Sequence, residues 1–208
     1  MAAGRTCPRA TESASRWLME YALKRFFDIT AAAFASILLA LPMAIIAIAI
    51  RATSPGPVLY WSQRVGQYNQ LFWMPKFRTM NTDAPVVATH LLTDPAQHLT
   101  RVGRFLRKTS LDELPQLWSI LKGDMSFVGP RPALFNQNDL IQARTEKNID
   151  SLLPGLTGWA QVNGRDELAI PDKVALDVEY MRRRGFWFDL RILAITALKV
   201  VGAAGVRH

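Results

Sequence analysis

Asp112 and Glu113 are adjacent carboxylates in the stretch SLDELPQLWSILKGDMSFVGPRP, Ser110 to Pro132. Two neighbouring acids can do general acid–base work, share a divalent cation, or present a nucleophilic oxygen. Cations crowd this pair. Arg104, Arg107 and Lys108 precede it, and Arg131 follows, set between Pro130 and Pro132. Arginine offers a planar fork suited to phosphate oxygens, and its proline neighbours restrict the backbone that carries it. Cations together with a helix N-terminus are expected to lower carboxylate pKa values and keep Asp112 ionised at neutral pH. An ionised aspartate beside phosphate-binding groups is equipped to attack phosphorus and form an aspartyl phosphate. Magnesium is the expected ion, since it accepts one or two carboxylates together with substrate phosphates.

A purely structural reading stands beside this one. Ser110-x-x-Glu113 matches a capping box, and Leu114, Leu117, Trp118 and Leu121 follow at core-facing helical spacing. Acids in a first turn also complement the helix dipole. The stretch alone does not separate capping from catalysis.

The elements that must position the pair are mostly helical. Patterns around 98–108, 113–122, 135–147 and 172–184 read as helices. Val58–Trp61 reads as a strand, turned by GQYNQ into a partner in LFWMPKFRTM, where Pro75 implies an edge or a bend. The fold class is therefore α+β, helix-dominated, with a short β-hairpin. GWAQVNG reads equally as a strand and turn or as a site where Trp159 and Gln161 meet a base or sugar. In GFWFDLRILAITALKVVGAAG, Asp189, Thr196 and Lys199 fall in one narrow helical arc with Arg191 opposite. The helix either lies in a membrane interface or packs on the core.

Ile29–Ile50 is a run of 22 residues without a charge. As a helix it is about 33 Å long, enough for a hydrocarbon core of about 30 Å. A cleaved signal peptide has a shorter apolar region, and a buried core helix needs a larger shell than the remaining chain can supply. Pro42 divides the run into pieces of roughly 20 and 14 Å, each long enough to enter one leaflet. Arg16, Lys24 and Arg25 precede it and Arg51 and Arg64 follow. Cations on both sides suit a proline-bent, re-entrant helix better than a single span. The expected organisation is a disordered tail over 1–14, a membrane-associated re-entrant helix over 15–51, and a catalytic domain over 52–208.

The net charge of +8, from 25 Lys+Arg against 17 Asp+Glu, calls for an anionic partner. Arg182–Arg184 reads as a basic patch against anionic lipid. Nucleic acid is disfavoured because the carboxylates stand inside the basic region, and a non-catalytic scaffold would require Asp112 to be dispensable. Cys7 is the single cysteine, so there is no disulfide framework, and the three histidines lack zinc spacing. The sequence leaves oligomeric state open, a homo-oligomer included.

Six motifs carry a family resemblance: KRFFDI, SPGPVLYWSQRVG, PKFRTM, VGRFLRKTSLDELPQLWSILKGDMSFVGPRP, PGLTGWAQVNGR and LDVEYMRRRGFWFDL. Between Lys24 and Val200 the chain resembles the bacterial sugar transferases, the monotopic polyprenyl-phosphate glycosyl-1-phosphate transferases. The resemblance implies transfer of sugar 1-phosphate from a UDP-sugar to polyprenyl phosphate, with release of UMP. It implies an enzyme on the cytoplasmic face of the bacterial inner membrane, in contact with membrane lipids. Asp112 falls on the family's nucleophile and magnesium ligand, and Glu113 on its partner in proton handling or positioning. Lys76, Arg107, Arg131 and Arg165 fall on basic positions that bind substrate phosphate. Pro42 falls on the membrane bend, although Leu41 stands where one relative has a serine whose hydroxyl can bond the freed backbone. Many relatives carry a large N-terminal membrane domain, so this chain is expected to be a small form built on the catalytic domain.

Overall fold

The computed structural model describes residues 8–82, 95–164 and 168–201. Helix α1 (Pro8–Leu38) meets α2 (Ala40–Thr53) at a bend of 60°. Pro42 explains the position of the break. Its nitrogen has no hydrogen for the Leu38 carbonyl four residues earlier, and its ring crowds that carbonyl, so the ladder opens at Leu39 rather than at the proline itself. Leu39 N still donates to Ala35 O and Met43 N to Leu39 O, both at 2.9 Å, so backbone bonds continue on either side of the break. The Ser36 hydroxyl donates back to Ala32 O at 2.7 Å, within its own helix. α1 takes in residues 8–14, read from sequence as tail. Pro8 suits a first helical turn, and no proline or glycine follows it before the break. Residues 1–7 lie outside the described residues.

No single described helix is long and apolar enough to cross a membrane, but the bent pair together is. Its outer face is apolar and open, with Phe34, Ile37, Leu41 and Ile48 all about two-thirds exposed or more. Its inner face packs on the rest of the chain: Ala32 against Phe72 and Ile120, and Ile50 against Phe77 and Leu106.

Strands β1 (Leu59–Val65) and β2 (Leu71–Phe77) pair antiparallel, with Trp61 opposite Pro75. In a two-stranded sheet both strands are edges, which is why Pro75 is tolerated inside β2. The turn between them takes positive φ at Tyr68 and Asn69. Short helix α3 (Pro95–His98) leads to α4 (Arg101–Thr109), capped by the Thr100 hydroxyl, which accepts from Gly103 N at 2.8 Å. Gly103 is required by space, because a Cβ there would fall 1.9 Å from Thr79 O. A 3-10 turn (Leu111–Gln116) then runs into α5 (Leu117–Lys122), so the helix expected over 113–122 is split, with Pro115 inside the turn. The Arg25 guanidinium of α1 donates to Leu121 O at 3.1 Å, placing a cation at the C-terminal end of α5.

A second, parallel pair joins β3 (Ser126–Val128) to β4 (Gly155–Thr157). These strands are three residues each, too short for a two-residue period to mark them. Helix α6 (Asn138–Thr145), short α7 (Trp159–Asn163), α8 (Ile170–Arg183) and α9 (Phe186–Val201) complete the order. Val128, Leu140, Ile149, Val162, Tyr180 and Ile192 form the core among them. On α9 the polar arc faces inward. Lys24 of α1 makes a short ion pair with Asp189, Thr196 Oγ1 meets Thr157 Oγ1 at 2.7 Å, and Lys199 donates to Val162 O at 2.7 Å. Trp187 and Leu198 on the outer side are more than 70% exposed, so the helix packs on the core and keeps an open apolar face.

Candidate active site

Ser110 ends α4 in the left-handed region at φ 58°, and its side chain makes no cap bond to the turn that follows. The capping box is therefore absent. Glu113 is used elsewhere: it accepts from Lys76 Nζ of β2 at 2.7 Å and from an Arg131 guanidinium nitrogen at 3.2 Å. The 3-10 turn brings three separated motifs to one carboxylate, because it packs directly on β2 while the loop after β3 supplies Arg131.

Asp112 is 8% exposed and, unlike that of Glu113, its side chain has no hydrogen-bond or ion-pair partner among the described residues. Its pKa is raised: burial is the main cause and the Glu113 charge adds to it, against the pull of Lys76, Arg107 and Arg131. Glu113 moves the other way. Burial would raise it, but Lys76 and Arg131 outweigh that and hold it well below the carboxylate range. The cations do pull Asp112 towards its ionised form, as expected from sequence, but burial outweighs them and leaves its pKa above rather than below the ordinary aspartate value. Lys76 and Arg131 bond Glu113, while Asp112 feels the cations only through space and so bears the cost of burial. Lys76 is itself pushed down by burial, opposed by Glu113.

Arg107 reaches the site from α4. Its Nε donates to Thr79 Oγ1 at 2.9 Å, and it attracts Asp112 without forming an ion pair. Thus four sequence-read residues, Glu113, Lys76, Arg107 and Arg131, all act electrostatically on the fifth, Asp112. Arg165 lies outside the described residues. Trp159 and Gln161, left open from sequence, are used structurally. α7 replaces the strand; the indole N–H donates to Glu179 at 2.9 Å, and Gln161 donates to Leu156 O at 3.1 Å.

Sequence reading missed the supports behind the site. Arg144 and Asp177 form a buried ion pair at 2.7 Å. Lys24 and Tyr180 both bond Asp189 and also donate to Val128 O, at 3.2 and 3.0 Å. Asp28 accepts from Phe127 N at 3.2 Å. The readable signal was periodic: Asp177 and Tyr180 share a helical face with Val174, and Arg144 shares one with Leu140, so each polar group is on a core face.

The chain matches the bacterial sugar transferase family over residues 19–203 and belongs to it. It is 41% identical over 192 residues to an uncharacterized sugar transferase, EpsL, of Bacillus subtilis, covering 89% of this chain and 91% of that protein. The undecaprenyl-phosphate glucose phosphotransferase of Komagataeibacter xylinus is 40% identical over 184 residues, 83% of this chain and 35% of that protein. The undecaprenyl-phosphate galactose phosphotransferase of Salmonella typhimurium is 38% identical over 201 residues, 88% and 41% respectively. The chain thus spans less than half the length of these two relatives.

Proposed function

We propose that this chain transfers a hexose 1-phosphate from a UDP-sugar to undecaprenyl phosphate, a polyprenyl phosphate, releasing UMP, in two displacements through Asp112. An Asp112 carboxylate oxygen attacks the sugar-bearing phosphorus, and the bond to the UMP oxygen breaks. A lipid phosphate oxygen then attacks the same phosphorus, the aspartyl bond breaks, and the carboxylate returns. The observation that carries this reading is the buried Asp112, whose side chain has no hydrogen bond among the described residues, beside two cations held by Glu113. A desolvated, unbonded carboxylate is a stronger nucleophile than a solvated one, and fixed cations receive the phosphate charge without reorganising. Relatives named for glucose and galactose transfer to undecaprenyl phosphate support the substrate class.

Magnesium fits the donor set. Among the described residues no three His, Cys, Asp or Glu side chains gather, and of the two site carboxylates Asp112 is the one without a bonded oxygen, so the diphosphate must furnish the other ligands. A bound ion there would supply charge neutralisation between carboxylate and diphosphate. Glu113, ionised and doubly paired, positions Lys76 and Arg131 and is a poor base.

The α1–α2 pair is read as a re-entrant hairpin at the cytoplasmic face of the bacterial inner membrane, supported by its 60° bend and open apolar face. Cysteines placed before Lys24 and after Arg51 then label from one side only. Labelling from opposite sides means a span. The activity test uses purified protein with a panel of UDP-sugars, undecaprenyl phosphate and magnesium. UMP release is expected with one donor or a few, lost in excess EDTA and restored by magnesium. No release with any donor, or full release in EDTA, rejects the corresponding part.

A further inference from the structure

Pro130 and Pro132 have no N–H, so the loop that carries Arg131 is held almost wholly through its carbonyls. Four successive carbonyls go to three elements, β4, α6 and β1. Pro130 O accepts from Gly155 N of β4 at 2.9 Å, and Pro132 O from an Arg64 guanidinium of β1 at 3.3 Å. Ala133 O accepts from Val65 N at 2.9 Å. Arg131 O accepts from Arg144 Nη1 of α6 at 2.7 Å, the shortest of the four. Arg144 is 7% exposed, and its Nε and Nη2 both donate to Asp177 Oδ2 of α8, at 3.0 and 2.7 Å. Asp177 is 1% exposed. One face of Arg144 is therefore locked by an ion pair and the other grips the backbone of the residue whose side chain pairs with Glu113.

We propose that Arg144 and Asp177 are positioning residues for Arg131, a buried relay that fixes the carbonyl of Arg131 and so aims its guanidinium at the site. Neither touches substrate. A buried ion pair is seldom retained for stability, since apolar replacements of similar volume are often neutral or better. Its use here is geometric: Arg144 is the side chain that reaches the Arg131 carbonyl across a proline-flanked loop with few other donors. The inference rests on the assignment of Arg131 to the substrate's phosphates.

The paired replacement Arg144→Met with Asp177→Leu removes the relay without stranding a charge. It is expected to keep the melting temperature of the wild type. Its kcat/KM for the UDP-sugar should fall about 10- to 100-fold, divided between kcat and KM as in Arg131→Ala, the range expected when a contact is misplaced by a fraction of an ångström. Adding Arg131→Ala to the pair should cost nothing beyond Arg131→Ala alone, because both act through one side chain. Wild-type kinetics in the pair, or losses that multiply in the triple variant, overturn the relay and leave the active-site reading intact. A fully active Arg131→Ala overturns both. If the pair fails to fold, Asp177→Glu, which keeps the ion pair and shifts its reach, is the second variant. A loss coupled to Arg131 supports the relay, and independence from Arg131 overturns it.

Discussion

The α8–α9 region and the turn after α4 both bury aspartates, and they treat them in opposite ways. Asp177 and Asp189 are pushed upward by burial, and each is answered: Asp177 by both donors of Arg144, Asp189 by Lys24 and the Tyr180 hydroxyl. Asp112 is pushed upward by burial and receives no hydrogen bond, although Lys76 and Arg131 stand beside it. Buried polar groups are nearly always bonded, so an unbonded acid needs another reason to be there. The satisfied acids build the frame. Asp28 has one oxygen bonded to Phe127 N and the other without a partner, but neither Asp112 oxygen is bonded, and Asp112 stands among Glu113 and three cations, where chemistry is expected. Burial alone does not distinguish them; the lack of any bond to Asp112 together with its cation neighbours does.

The largest break of this contrast comes from the frame. Asp177→Asn leaves Arg144 buried without its counter-charge and should cost roughly 3–5 kcal/mol of stability, read from chemical or thermal unfolding in detergent. A loss under about 1 kcal/mol would mean that Asp177 is no more committed than Asp112.

Glu113→Gln comes next. It removes the charge that holds Lys76 and Arg131 in place, so turnover should drop roughly 10²–10³-fold, as when one preorganised electrostatic partner is removed. Both the Glu113 charge and its hold on the cations raise Asp112, so this variant should move the acidic limb of kcat/KM to lower pH. In the wild type that limb should lie above the ordinary aspartate value of about 3.9. An unmoved limb in Glu113→Gln would detach it from Asp112.

The smallest expected effect is on stability at Asp112. A folded-state pKa above the unfolded one means that the native protein binds the proton more tightly, so stability falls as pH rises through the raised value. Asp112→Asn removes that penalty. Its melting temperature should exceed the wild type's at pH 7 to 8, and the gap should close toward pH of about 4. Under a capping role the sign would reverse.

Much of the fold was legible because long helices announce themselves by period and the hairpin by its turn. Short β3 and β4 were not, since three residues carry no period. The site's members were legible as motif residues, but their roles depended on tertiary contacts. Ser110-x-x-Glu113 has the letters of a capping box, yet Lys76 and Arg131, 37 and 18 positions away, take the glutamate instead. Pro42 announced the bend, and only the missing i−4 partner locates it at Leu39. Arg144 and Asp177 lie on core faces of their helices, but only the structure shows that they are buried against each other.

The central claim is that the Asp112 oxygen becomes covalently bonded to phosphorus. Intact-mass measurement after mixing enzyme, magnesium and the active UDP-sugar, without lipid acceptor, tests it most directly. The account predicts an added mass of one hexose phosphate on the wild type, a slower but present adduct on Glu113→Gln, and none on Asp112→Asn. A turnover-competent Asp112→Asn enzyme, or the same adduct on it, would contradict the account.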